Sequence, residues 1–336
     1  MSKKPQQSAY IYASARVRSL ENTLIGKDRV AQLADAANMD ELYARLEEYG
    51  VALVRDQKGS VLVEPSLQGI LTKTLEQLLE AAPAPEVYDF MRYPYDCHNV
   101  KAAIKCHLRK LPCENMLLAL GVADVAQVAK MPETGEFSAL PSHMAKAAPV
   151  AMQAYAKTAN PRAIDLTLDK ACFADMLAAA KDSGEEFHIQ LVRAQIDLVN
   201  LMMCLRLVRM QSGEQGAMLL DSAWLEGGTL EKATLLRAYP EGEQALLACL
   251  NRTAYEKVAK WIAESDGSAA AAERAADDYR MELLRAAKQT TFGAAVLTAY
   301  FYAQEYAVKN IRIVIASKQA GLSAEIIHER IRTSYV

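Results

Sequence analysis

The chain has 336 residues, of which 51% are hydrophobic and 24% charged, with a formal net charge of −3; that is enough for two or three domains with sizeable cores. The charge is spread evenly: residues 1–115 carry 15 basic and 15 acidic side chains, 116–215 carry 9 and 11, and 216–336 carry 14 and 15. No segment has the basic footprint needed to grip a nucleic-acid backbone, and no polybasic patch suits an anionic membrane surface.

The opening Met1-Ser2-Lys3-Lys4-Pro5-Gln6-Gln7 is polar, with no apolar signal core and no small-residue cleavage site. From Ser14 to Tyr49 the pattern is helical, interrupted at Asn38-Met39-Asp40, where Asn38 offers a cap and Asp40-Glu41 a favourable first turn. Gly50 is a natural stop. Val51–Val54 and Ser60–Val63 flank Asp56-Gln57-Lys58-Gly59, the one hairpin-like signal in the chain. Pro83, Pro85 and Pro94 are expected to break the chain before a helix that begins near Asp96. Loops are expected at 132–141 around Gly135 and at Asp182-Ser183-Gly184, and Gly213, Gly216, Gly227-Gly228 and Pro240 punctuate the next region. Ser265–Ser268 starts an alanine-rich helix. Gly321 ends the last long helix, and Ser323 with Glu325 starts a final short one. The longest uncharged stretch, Gln289–Gln304, has 16 residues, short of the roughly 20 that span a bilayer. Abundant alanine and leucine favour helix throughout. The fold class predicted is all-α.

An internal repeat is the sharper signal. Asp96-x-x-Asn99, Asp197-x-x-Asn200 and Ala307-x-x-Asn310 each place an asparagine inside a helical run, 101 and 110 residues apart. Asparagine is a mediocre helix-interior residue because its side chain competes with the backbone. A buried asparagine can instead bridge two segments by hydrogen bonds, with the acidic residue at i−3 on the same face. Three units follow, at about 1–115, 116–215 and 216–336. Chance recurrence of Asp-x-x-Asn is the competing explanation.

Motifs that carry chemistry are scarce. Cys97-His98, Cys106-His107 and Cys113 look like a metal cluster, but a nine-residue step on a helix is half a turn out of phase. Converging zinc ligands are therefore not expected. All six cysteines, at irregular spacings and without a signal peptide, are read as reduced thiols in the cytoplasm. No phosphate-binding Gly-x-x-x-x-Gly-Lys-Ser/Thr loop, no Gly-x-Gly-x-x-Gly and no Gly-x-Ser-x-Gly elbow occurs. His143, His188 and His328 sit among polar neighbours and read as surface histidines. Asp165, Asp169 and Asp175 fit an amphipathic helix with Leu166, Leu168 and Phe173 better than a carboxylate catalyst. A binding or structural role is favoured over catalysis. A helical-repeat adaptor and a Cys/His metal-dependent enzyme remain the alternatives. Common helical repeats of roughly 34 to 47 residues are much shorter than these units.

The run Tyr10-Ile11-Tyr12-Ala13-Ser14-Ala15-Arg16-Val17-Arg18-Ser19-Leu20-Glu21 is similar to the opening of the C subunit of prokaryotic V/A-type ATPases, equivalent to the AC39-like d subunit of the vacuolar enzyme. Ala303-Gln304-Glu305-Tyr306-Ala307-Val308-Lys309-Asn310-Ile311-Arg312 and the stretch from Lys318 to Ser323 resemble its close. Asp96-x-x-Asn99-x-Lys101 and Leu168-Asp169-Lys170 look like its internal motifs. The resemblance implies three similar helical subdomains in a pseudo-threefold, funnel-shaped arrangement. It implies no catalytic residue, no cofactor and no metal. The partners it implies are the central-shaft subunits of a soluble ATPase head and a membrane rotor ring, on the cytoplasmic side. Family-motif residues carried over are Arg16, Arg18, Asp96, Asn99, Lys101, Asp169, Asp197, Asn200, Glu305, Asn310 and Arg312, in structural roles. Ala307 stands where the family often has an acidic residue, which puts a polar bridge in the third unit in question.

Overall fold

The computed structural model describes residues 6–336, and the polar segment Met1–Pro5 lies outside them. Among the described residues there is helix and no strand; the hairpin signal is reduced to one antiparallel bridge, Arg55↔Val61. Asp56 Oδ1 accepts from the N–H groups of Lys58 and Ser60, which closes a tight turn but leaves too few rungs for a sheet.

Two compact units result. The first is discontinuous, running to Pro85 and resuming at Tyr255–Val336; the second is Glu86–Ala254. The first opens with α1 (Ile11–Glu21), α2 (Lys27–Asp35), α3 (Met39–Glu48) and α4 (Val63–Ala81). The second holds α5 (Asp89–Arg109), α6 (Val125–Thr134), α7 (Ser142–Thr158), α8 (Pro161–Asp182), α9 (Glu186–Arg209), α10 (Gly213–Ala223), α11 (Lys232–Ala238) and α12 (Glu243–Ala248). The chain then returns through α13 (Glu256–Ala263), α14 (Ala269–Ala286), α15 (Ala294–Gln319) and α16 (Ala324–Arg330).

Caps read from the sequence are present: Asn38, Ser268 and Ser323 accept from the N–H groups of Glu41, Ala271 and Ile326. Pro94 is a correction. It lies inside α5, which begins five residues earlier at Asp89. Its missing N–H leaves the Phe90 carbonyl without the usual i+4 donor, but burial of Phe90 and Met91 holds that first turn in the core. Pro132 likewise falls within α6, so the following loop starts at Gly135, whose φ is +74°.

In the first unit α15 is the central helix, packed against α1, α2, α4 and α14. The uncharged run at its start supplies Val296, Leu297, Tyr300 and Phe301 to the core, all at most 2% exposed. No helix among the described residues is long and apolar enough to cross a membrane. In the second unit α8 lies along both α5 and α7 and also meets α9. His188, expected at the surface, is fully buried. Its polar neighbours misled: the α9 start turns the ring onto Phe90, with ring centres 4.6 Å apart, and beside Ser183 Oγ at 3.2 Å.

Candidate functional site

The asparagines identified by spacing make the same structure three times. Asn99 Nδ2 donates to the Leu118 carbonyl at 2.8 Å, and Leu118 N–H donates back to Asn99 Oδ1 at 2.8 Å. Asn200 pairs with Leu225 in this way at 2.9 and 3.0 Å, and Asn310 with Arg332 at 3.0 and 2.8 Å. Each asparagine is fully buried. The amide mimics one rung of a peptide ladder, so a helix holds a distant, non-helical residue by both its backbone groups.

The register around each clamp also repeats. Eleven residues after each asparagine stands a residue with left-handed backbone: Lys110 (φ 54°), Gln211 (φ 52°) and Gly321 (φ 72°). Each is followed by the same 6→1 hydrogen bond, Leu111 N–H to Cys106 O, Ser212 N–H to Leu207 O and Leu322 N–H to Ser317 O. The long helix thus ends identically three times, and the chain that leaves it is then gripped by the asparagine.

Two of the clamps have a second grip. Asp96 accepts from the N–H groups of Val122 and Ala123 at 3.0 Å each. Asp197 accepts from Thr229 N–H and Oγ1 and from Leu230 N–H, all between 2.7 and 2.9 Å. A glycine admits each carboxylate: a Cβ at Gly121 would lie 2.1 Å from Asp96 Oδ1, and one at Gly228 would lie 2.1 Å from Asp197 Oδ1. These glycines stand three residues past Leu118 and Leu225. The next helices, α6 and α11, begin four residues beyond them. Burial pushes the Asp96 carboxyl up to about 6, against the pull of its two backbone donors.

The third clamp differs as the sequence suggested. Ala307 occupies the aspartate position, and Tyr335 occupies the glycine position three residues past Arg332. The buried carboxylate comes instead from Asp277 on α14, which accepts from Lys309 Nζ and from Arg332 Nε at 2.9 Å. Burial alone would raise the Asp277 carboxyl, but Lys309 and Arg332 outweigh it and hold it below the usual range. Asp278 accepts from Thr333 N–H at 2.7 Å. Glu305, the remaining acidic family-motif residue here, lies close enough to Arg280 and Tyr306 to act on both electrostatically.

The other family-motif residues fasten helices to one another. Lys101 reaches Asp169 at 2.6 Å, joining α5 to α8, with the neighbouring Lys105–Asp165 pair one turn along. Arg16 pairs with Glu80, joining α1 to α4, and Arg312 binds Glu64 through two hydrogen bonds of 2.8 Å, joining α15 to α4. Arg18 holds Glu21 at 2.7 Å and the carbonyls of Ala287 and Thr290 at 2.9 Å. Asp175 grips the start of α7 through the N–H groups of His143 and Met144. The helix face of Cys97 turns to Leu168 and Asp169, whereas Cys106 joins Cys113 and Leu117. Among the described residues no group of three or more His, Cys, Asp or Glu is placed to hold a metal ion.

The family model described as ATP synthase (C/AC39) subunit matches residues 13–330. The chain belongs to that family. It is 25% identical to the C subunit of the A-type ATP synthase of Thermococcus kodakarensis, over 95% of this chain and 89% of the relative. It is 24% identical to the C subunit of the V-type sodium ATPase of Enterococcus hirae, over 95% and 97%. With the C subunit of the A-type ATP synthase of Methanosarcina mazei the identity is 23%, over 98% and 94%. As a C/AC39 protein the chain is a structural, non-catalytic subunit of an A/V-type ATP synthase complex. The clamps then belong to a scaffold.

Sequence reasoning named the three asparagines and two aspartates. It missed Gly121, Gly228, Asp277 and Arg332. The two glycines serve anchors gripped only by their backbone, and Asp277 and Arg332 are united only by tertiary structure.

Proposed function

We propose that the chain is the socket that joins the rotor shaft of a rotary ATPase to its membrane ring. It couples ATP hydrolysis or synthesis to proton or sodium transport without a cofactor of its own. The observation that carries this reading is the triple clamp. A part that transmits torque must not yield where a helix hands over to a loop, and those are the points the three asparagines tie down. Close-packed helical cores supply the remaining stiffness. Three units, with boundaries near residues 115 and 215, in a pseudo-threefold funnel would offer a mouth for the shaft and an end wall for the ring, peripheral to the membrane on its cytoplasmic side. Interfaces that stay joined under load generally bury roughly 2,000–5,000 Å² in total.

Membranes lacking this chain test the proposal. ATP hydrolysis by the isolated soluble head should persist, ATP-driven ion transport should be lost, and adding back the purified chain should restore transport. Loss of hydrolysis by the isolated head, or full transport without the chain, would overturn the socket reading.

A further inference from the structure

We propose that Cys106, Cys113 and Met116 form a three-sulfur site for a soft monovalent metal ion, copper(I). Cys106 Sγ lies 3.6 Å from Met116 Sδ. Cys113 precedes the 3₁₀ turn Glu114–Met116, and its carbonyl accepts from Met116 N–H at 2.9 Å. Residues three apart on such a turn eclipse one another, so the Cys113 and Met116 side chains leave the loop on one side. Cys106 and Cys113 pack in the same apolar cluster, with Ala102 and Leu117. Three sulfurs from α5 and the loop that follows it thus converge.

The separation selects the coordination. With metal–sulfur bonds of roughly 2.3 Å, two sulfurs 3.6 Å apart subtend about 100° at a shared ion. A linear two-coordinate ion would need them about 4.6 Å apart. The angle suits three or more ligands, and Cys113 is the third sulfur at hand. Thiolate and thioether ligands are soft and select copper(I). Among the described residues no histidine or carboxylate joins the two cysteines as a further ligand, which the usual fourfold zinc set would need. Each thiol that coordinates releases its proton to solvent, and no electron moves.

The loop that carries Met116 is already fixed. His98 Nε2–H donates to the Met116 carbonyl at 3.0 Å, and Asn99 grips Leu118 by both backbone groups. Leu111 N–H closes the end of α5 on the Cys106 carbonyl at 2.9 Å. Ligands held by rigid elements lose little freedom when an ion binds. Cys106 and Cys113 are 5% and 9% exposed, but Met116 is 54% exposed, so the thioether is the way in from solvent. Cys97, half a turn away on α5, faces Leu168 and takes no part.

The inference is independent of the socket role. The test supplies copper(I), as its acetonitrile complex without oxygen, to the reduced full-length chain in competition with the chelator bathocuproine disulfonate. One equivalent is expected to be withheld from the chelator, and X-ray absorption should show sulfur ligands only. Cys106→Ala and Cys113→Ala should each lose that equivalent. Met116→Leu, at an exposed position where the fold tolerates a change, should weaken binding at least about tenfold. Cys249→Ala should change nothing. Failure to withhold copper(I) from the chelator would overturn the proposal, as would undiminished binding by Met116→Leu. An equivalent of zinc held as firmly as copper(I) would overturn it too.

Discussion

Asn200 and Leu225, twenty-five residues apart, exchange both hydrogen bonds of a peptide rung, Nδ2 to carbonyl at 2.9 Å and N–H to Oδ1 at 3.0 Å. Replacing the amide by a hydrocarbon of similar size strands two buried backbone groups at once. Asn200→Leu is therefore expected to destabilise the chain by about 2–4 kcal/mol. The urea midpoint of the variant checks this, and an unchanged midpoint would mean that water satisfies Leu225 as well as Asn200 does.

Gly228 and Asp197 form a lock whose two parts are coupled. Gly228→Ala places a methyl where the carboxylate sits and should cost about 2 kcal/mol or more. In an Asp197→Ala background the space is vacant and the same substitution should cost much less. A double-mutant cycle on unfolding free energies reads the coupling; additive effects would show that the loop moves aside instead.

Lys110 and Gln211 adopt a left-handed backbone at a position where the third long helix has Gly321. Side chains are disfavoured there by about 1 kcal/mol or more. Lys110→Gly and Gln211→Gly should raise the thermal midpoint, whereas Gly321→Ala should lower it. Glycine also gains freedom in the unfolded chain, so the net gain is expected at a few tenths to about 1 kcal/mol.

Asp96 and Asp277 should respond to pH in opposite senses. With its carboxyl raised from 3.8 to about 6, folded Asp96 binds a proton that the unfolded chain has released between those values. Its contribution is fully present below about 4 and lost as pH rises through about 6, a change of about 3 kcal/mol. Asp277, held low by its cations, contributes above the ordinary carboxylate range and loses that contribution as pH falls. Unfolding followed at pH 4, 5.5 and 7 should show the unmutated chain losing ground to Asp96→Asn as pH rises, and Asp277→Asn most damaging at neutral pH. Parallel pH profiles for the unmutated chain and Asp96→Asn would refute the first of these.

Much of the scaffold is legible from residue types. Helix class follows from periodicity and composition, and Asn38, Ser268 and Ser323 cap as their identities suggest. The clamps could be found because a buried amide inside a helix needs a special partner, and the spacing revealed three. Their partners could not, because Leu118, Leu225 and Arg332 share no side-chain chemistry: only their backbone is gripped. His188 was misplaced for a related reason, since local polarity says nothing about which face a tertiary neighbour such as Phe90 will cover. Pro94 shows the converse, a strong local breaker overruled by packing.

The discontinuity of the first unit imposes an order on biosynthesis. Its opening helices α1–α4 are separated from their partners α15 and α16 by the entire second unit, residues 86–254. At roughly 5–20 residues per second on the ribosome, those 169 residues take on the order of ten to thirty seconds to emerge. Throughout that interval the apolar faces of α1, α2 and α4, made to cover α15, have nothing to cover, while the second unit can complete itself from contiguous chain. The nascent protein is thus most vulnerable to aggregation, and most in need of a chaperone, through its earliest-made helices.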